Sequence, residues 1–443
     1  MSQIVTDSAN TPAPEATALS GAEWQQRLEK IASDPRMSEE NTTLTKSPLA
    51  MPLFFAGLVA TIVAVITGFS MTGHGMHALA SIEIGLFTAL AISLGGMFWV
   101  MVFHSLNAGW SITLRRQFEN LGAVIWFPAV LLIIITLIEV ISGGIMLKWI
   151  DYEGYNYLLK IKKPYLNTTG PTGLIVRVAV YAIAWILISR CFIGWSKKMD
   201  ETGDRRLGRK SRRVAGFAIP VFALTTTFAA FDFLMSPDYR FFSTMWGVYY
   251  FASCGLAGAS GIAIIAFMLR RAGKLEGLVT SEHFHDLGKL VFAFTVFWAY
   301  ISFSQYFLIW YSNIPEETAW FYNRQQYGYN WLFWVMVIGH FVLPFLLLIW
   351  RQTKRSMGLL AIMSVYMIAM VVLDMVWILR PMADFGAPSV ESSSIVRIAL
   401  DLVGIFGVLA MYAGIVALKV TKGPLLPLKD PMLHEALKHK NYV

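Results

Sequence analysis

Inside long apolar stretches the chain keeps a small set of groups able to hold or pass a proton. Glu83, Glu139, Asp232, Asp374 and Asp401 fall toward one side. His340 lies near the middle, His104 is mid-helix or slightly beyond it, and Lys289, Asp286, His285 and His283 cluster toward the other side. A charge at the bilayer centre costs about 2.5–3.5 kcal/mol on lenient insertion scales, so a sequence that retains such groups has paired them or uses them. Carboxylates and histidines are the side chains from which membrane proton relays are built. Tyr300, Ser302, Ser304 and Tyr306 run between the two zones; Tyr300 with Ser304, and Ser302 with Tyr306, share a helix face by their four-residue spacing. Together Asp232, Glu139, Asp374, Asp401, His340, Tyr300, Ser304, Lys289 and His285 read as a proton path. Each taken singly also reads as a buried hydrogen bond between helices.

The stretch from Val214 to Phe251 shows the problem most sharply. It holds about one bilayer thickness of apolar residues, Pro220, the single carboxylate Asp232 near its far end, and a sharp turn at Ser236-Pro237-Asp238. Other chemistries are poorly supported. The two cysteines, Cys191 and Cys254, are far apart and no CxxC or CxxCH occurs, which argues against attached c-type haem and cysteine-ligated iron–sulfur clusters. Only His104 and His340 lie deep enough to ligate b-type haem, which would allow one at most. No metal-ligand cluster, nucleophile–base pair or phosphate loop is evident, so the sequence does not read as an enzyme acting alone, and no metal site is expected.

The elements that must position these groups follow from composition. Of 443 residues, 56% are hydrophobic and only 14% charged, with a mean hydropathy of +0.56. A soluble domain carries about a quarter charged residues, so this is an integral membrane protein. Ten apolar runs can each span about 30 Å as helices, at 51–71, 85–112, 119–145, 172–195, 213–235, 242–270, 287–313, 328–352, 356–379 and 394–420. Unpaired backbone groups are too costly in lipid for other structures, so the expected fold is all-α. Prolines 128, 220 and 344 should kink their helices, Pro344 by freeing the carbonyl of His340. Gly255, Gly258 and Gly261 mark a close helix–helix contact.

Lys and Arg set the orientation. With the N-terminus inside, 27 of the 36 fall on the inner side, eight of them in KKMDETGDRRLGRKSRR (197–213). This positive-inside pattern places both termini in the cytoplasm. The basic run is therefore a topology and lipid-headgroup feature, not a nucleic-acid site. The outer loop 151–170 carries three lysines among aromatic and leucine residues; it reads as a docking surface for an outer partner or as a lid over its own helices. Residues 1–50 form a polar tail without a signal-peptide pattern, in which GAEWQQRLEKIA suits a short amphipathic helix at the membrane surface or a solvated tail. Residues 51–420 form the membrane domain and 421–443 a second polar tail.

The run HFHDLGKLVFAFTVFWAYISFSQYFLIWYSNIPEE (283–317), with FDFLMSPDYRFFSTMWGVYYF (231–251), resembles the NrfD/polysulfide-reductase membrane subunits. Within these it is most similar to the second large membrane subunit of alternative complex III. His104-Ser105-Leu106-Asn107-Ala108 after Phe98-Trp99, and Arg351 after HFVLPFLLLIW, extend the similarity over about 51–420. The resemblance implies ten helices containing two four-helix bundles, roughly helices 2–5 and 6–9. An internal echo accompanies it: Asp232 with Arg240 ends the fifth helix and Asp374 with Arg380 the ninth.

It also implies a respiratory role in the bacterial cytoplasmic membrane. Such a subunit belongs to a (mena)quinol:cytochrome c oxidoreductase, carries no redox cofactor of its own and offers a proton path. Its partners would be a homologous quinol-binding membrane subunit, outer iron–sulfur and c-type haem subunits, and a terminal oxidase. His104 and Asp232 match positions of the family's quinone (menaquinone or ubiquinone) site. The third helix, WFPAVLLIIITLIEV, offers only Glu139 where a richer polar lining is expected, which favours proton conduction or structural support over quinol oxidation by this chain. Two rival readings remain: a quinone-binding anchor of another molybdoenzyme-type reductase, and an independent secondary transporter. The second would place its site at paired broken helices, which the sequence does not show.

Overall fold

A computed structural model describes residues 20–70, 75–151, 157–166, 170, 172–326, 328–385 and 395–441, with side chains at 384–385 and 395–397 left aside. The first 19 residues, parts of the 151–170 loop and the side chain of Arg397 thus lie outside the described residues.

Apolar length dictates the architecture. The described residues form ten helices long and apolar enough to cross a membrane: α2 Ala50–Ser70, α3 Gly75–Ser105, α4 Gly109–Ile141, α6 Thr172–Thr202, α7 Arg206–Met235, α8 Trp246–Arg271, α9 Ser281–Ser312, α11 Asn330–Leu348, α12 Met357–Ala383 and α13 Ile398–Val420. Shorter helices flank them: α1 Gly21–Ala32 before the first span, α5 Tyr157–Leu166 and α10 Pro315–Gln326 between spans, and α14 Leu433–Leu437 near the end. The chain is thus a multi-pass, all-α membrane protein.

The core is built on α3 and α8, whose apolar windows are 89% and 78% buried, against 17% for α2. Helices α4, α7, α12 and α13 pack on α3, and α9 and α12 pack on α8. Small residues allow the central approach. A Cβ on Gly95 would lie 1.9 Å from the Cys254 carbonyl oxygen, and one on Gly258 would lie 2.4 Å from Gly95 backbone. In lipid, where burial of apolar surface gives no net drive between helices, this backbone proximity supplies the attraction. Of the expected Gly255, Gly258 and Gly261, Gly258 makes the backbone contact and Gly261 faces the Ile92 and Leu121 side chains; Gly255 instead meets the Phe294 ring, and its carbonyl accepts from Trp99 Nε1 at 3.0 Å.

Two of the three prolines expected to kink their helices leave clear marks. In α4 the helix breaks at Val124–Ile125, and the Val124 carbonyl, four before Pro128, accepts from Phe127 N–H at 3.0 Å instead. In α11 the turns before Pro344 widen to a π-helix over Val335–Val342, in which Leu343 N–H donates to the Ile338 carbonyl. In that register the acceptor left over by Pro344 belongs to Gly339, one residue before the expected His340, and the Tyr366 hydroxyl donates to it at 2.7 Å. The end of α7 repeats the device. A π-helix covers Phe231–Met235, Ser236 N–H donates to the Phe231 carbonyl at 3.1 Å, and the Ser236 hydroxyl serves Asp232 O at 2.5 Å where Pro237 cannot. Pro220, by contrast, sits within a continuous α-helix from Arg206 to Ala230.

The two polar ends of the chain meet on one face, here the terminal face. Trp24 Nε1 of α1 donates to the Gly203 carbonyl, Arg36 and Asn41 reach the carbonyls of Gly277 and Glu276, and Thr43 bridges to Pro424. Helix α1, opened by a capping box from Ser20 and Glu23, buries Trp24 and Ile31 against the protein itself.

Candidate functional site

The π-turn of α7 delivers Asp232 to the face opposite the termini. Its carboxylate is fully buried and receives a two-pronged grip from Arg177 of α6, Nε to Oδ2 at 2.9 Å and Nη2 to Oδ1 at 3.0 Å, plus the Tyr181 hydroxyl at 2.9 Å. Arg177 also donates to the Tyr165 carbonyl of α5 and lies over the Tyr165 ring at 4.7 Å. Lys162 of the same helix donates to the carbonyls of Tyr239 and Phe241, so the described part of the 151–170 loop sits as a lid on the α7–α8 turn. Burial pulls the Lys162 ammonium down to about 8. Arg240, which follows Asp232 at this end of the helix, pairs with Asp238. Glu139, also fully buried, accepts from the N–H groups of Met146 at 3.0 Å and Leu147 at 3.1 Å, within electrostatic reach of Glu83.

Asp374 of α12 forms a second centre. It is fully buried and accepts from the Tyr249 hydroxyl, the Ser253 hydroxyl at 2.9 Å and Trp298 Nε1 at 3.1 Å. No cation pairs with it among the described residues. On Trp298 lies the His340 ring, stacked at 3.7 Å with an interplanar angle of 19°. His340 is fully buried, and neither ring nitrogen has a hydrogen-bond partner in the protein. The widened π-turn places His340 here, and such turns recur at functional positions. Arg380 does not serve Asp374: it pairs with Asp401 at 2.9 Å and contacts His77, while Ser81 donates to Asp401 at 2.5 Å.

Beside Asp374 opens an aromatic cavity of about 490 Å³. Trp246, Trp298, Trp320, Trp377 and Phe333 wall it, and Tyr300, Ser302 and Tyr306 reach its rim. Arg324 of α10 backs the Trp320 wall. Fully buried, it donates to the carbonyls of Trp320, Trp377 and Ile378 and stacks 3.2 Å above the Trp320 ring.

At the terminal face, the foot of α9 gathers the remaining polar residues. Asp286 pairs with Lys289 and accepts from His439 Nε2 at 2.5 Å, and Glu282 pairs with Arg355. His283 caps the helix through Thr280, and His285 leaves a buried Nδ1 without a partner.

The sequence-predicted residues therefore fall into separate groups. Asp374 and His340 come together through Trp298, and Lys289 joins His283 and Asp286 at the α9 foot. Tyr300 points outward, 64% exposed, and Ser304 is half-buried away from the Asp374 centre. His104 lies at the terminal-face end of α3, stacked on Phe192 of α6. Asp232 meets α6 at Tyr181, eleven residues earlier, about 16 Å away along the axis. The structure does not bring His104 and Asp232 to one ligand, and His340 stands apart from both. Three groups that sequence reasoning passed over are Arg177, counted as a topological charge, Arg324 and Trp298. Among the described residues no group of three His, Cys, Asp or Glu side chains is placed to hold a metal ion.

No protein-family model matches the chain, and no curated protein proves similar to it.

Proposed function

We propose that this chain is a cofactor-free membrane subunit of a respiratory quinol-oxidising complex, of the NrfD type found in alternative complex III, and that it carries protons through its second half. In this reading the helices group as two four-helix bundles, α3, α4, α6 and α7 around Asp232 and α8, α9, α11 and α12 around Asp374, with the terminal face in the bacterial cytoplasm. Quinol oxidation takes place on a homologous partner subunit, and iron–sulfur and haem subunits on the outer side take the electrons.

One observation carries the proton assignment. Asp232 faces an arginine that neutralises it, whereas Asp374 is held by uncharged donors alone and touches, through Trp298, a histidine with two unused nitrogens. A carboxylate without a fixed countercharge can exchange its proton without leaving a buried cation unpaired. Protons would pass from the Asp286, His285 and Lys289 group to His340 and Asp374. From Trp298 to Lys289 is nine residues of α9, about 14 Å, which water must bridge. Asp232, Glu139 and Asp401 then hold the outer half together.

The aromatic cavity favours a second reading, in which this chain binds quinone itself as the anchor of another reductase. Its volume and its four tryptophans suit a flat lipid-soluble ring. The test is Asp374→Asn in the assembled complex in proteoliposomes, with a pH dye for proton movement and co-purification for assembly. Lost proton movement with intact assembly is expected; unchanged proton movement would sink the assignment. A colourless preparation of this chain alone would point to an independent transporter.

A further inference from the structure

The eight basic residues of 197–213 are not spread evenly. Arg205, Arg209 and Arg212 lie on one stripe of α7 and line a cleft with Arg115 of α4 and His104 of α3. Asp430 and Glu435 also line it, and Arg115 takes Asp430 as its partner. Arg115 also lies 3.5 Å from Glu119, so its charge is met, while Arg205, Arg209 and Arg212 share the wall with one further carboxylate, Glu435. Arg209 and Arg212 have no ion-pair partner among the described residues. His104 is 8% exposed, and its Nε2 has no hydrogen-bond partner.

The surface beneath the cleft says which anion would suit it. Below Arg212 on the same stripe come Gly216, Pro220 and Ala223, all exposed, and a Cβ on Gly216 would meet nothing within 4 Å. Phe217 (76% exposed) and Leu224 (59% exposed) border this bare channel on one side. The stripe runs from guanidinium groups at the end of the span straight into the apolar zone. A free phosphate would use only the top of it.

We propose that this cleft is a binding site for one anionic phospholipid, with the phosphate between Arg209, Arg212 and His104 and an acyl chain laid along the Gly216–Pro220–Ala223 channel. Arginine is suited to the head because its planar fork binds phosphate oxygens in pairs. Basic pockets between membrane helices hold anionic headgroups by the same chemistry.

The test uses the delipidated full-length protein in neutral detergent, titrated with dioleoyl-phosphatidylglycerol and followed by native mass and melting temperature. Arg209→Gln with Arg212→Gln should weaken binding about tenfold or more. Lys197→Gln with Lys198→Gln, equal in charge but outside the cleft, should change it less than twofold. At Gly216 an added Cβ meets nothing within 4 Å, so Gly216→Leu should occupy the channel and weaken binding while leaving the fold intact. Equal binding of dioleoyl-phosphatidylcholine, an equal loss in the lysine pair, or unaltered binding by Gly216→Leu would each overturn the site. A melting shift of the same size from glycerol 3-phosphate or inorganic phosphate would make it a free-anion site instead.

Discussion

Arg177 offers the sharpest test of how the outer half is held together. Replacing it by Gln leaves Asp232 with one donor, Tyr181, in a position fully closed to solvent. Breaking a buried pair by removing one partner costs about 3–5 kcal/mol, because the other charge stays behind. The melting entropy of about 2.1 cal/mol/K per residue, taken over 443 residues, converts 1 kcal/mol to about 1 °C. Arg177→Gln should therefore lower the melting temperature by about 3–5 °C in detergent. Arg177→Met combined with Asp232→Leu removes both charges and keeps the volume, and should recover most of the loss. Differential scanning fluorimetry of the wild type, both single variants and the double variant completes the cycle. If Arg177→Gln melts within 1 °C of the wild type, or the double variant falls by the sum of the singles, the pair does not act as described.

Further perturbations test other contacts. Tyr366→Phe strands the Gly339 carbonyl left over by Pro344, and Ser236→Ala strands that of Asp232; each should cost about 1–3 kcal/mol in a thermal melt. Arg324→Lys cannot reach three carbonyls in one plane and should both destabilise the protein and shift tryptophan emission, since Trp320 lies directly under the guanidinium. Lys162 has its folded-state value depressed to about 8, so between pH 8 and 10 the folded form has released a proton that the unfolded chain still holds. That group should thus add stability as pH rises through this window, and the gain should be absent from a Lys162→Gln melting profile.

Apolar length alone revealed all ten spans, because bilayer thickness and backbone hydrogen bonding leave little choice. The glycine contact between α3 and α8 was also legible, although Gly95 had to be found opposite Gly258 by the fold. Pairing was harder to read. Asp232 and Arg240 are close in sequence, yet Arg177, 55 residues away, makes the ion pair. Asp374 and Arg380 are likewise close in sequence, but Arg380 pairs with Asp401. Charge counting hides such partners, since it assigns Arg177 to a topology ledger and says nothing of which way its helix faces. His104, expected mid-helix or slightly beyond, is next to last in α3, because α4 starts at Gly109, only four residues after α3 ends.

The closed terminal face sets a condition on synthesis. Thr42 and Thr43 find their partners in Pro424 and Leu425, roughly 380 residues later in the chain. At translation rates of about 5–20 residues per second, the leading segment waits some 20–80 s for the other half of its own fastening. Meanwhile Trp24, Asn41 and Arg36 can already take the carbonyls of Gly203, Glu276 and Gly277, which are made earlier. The helices can all be inserted before the structure is locked, and Pro424 and Leu425, just past the tenth span, turn the lock.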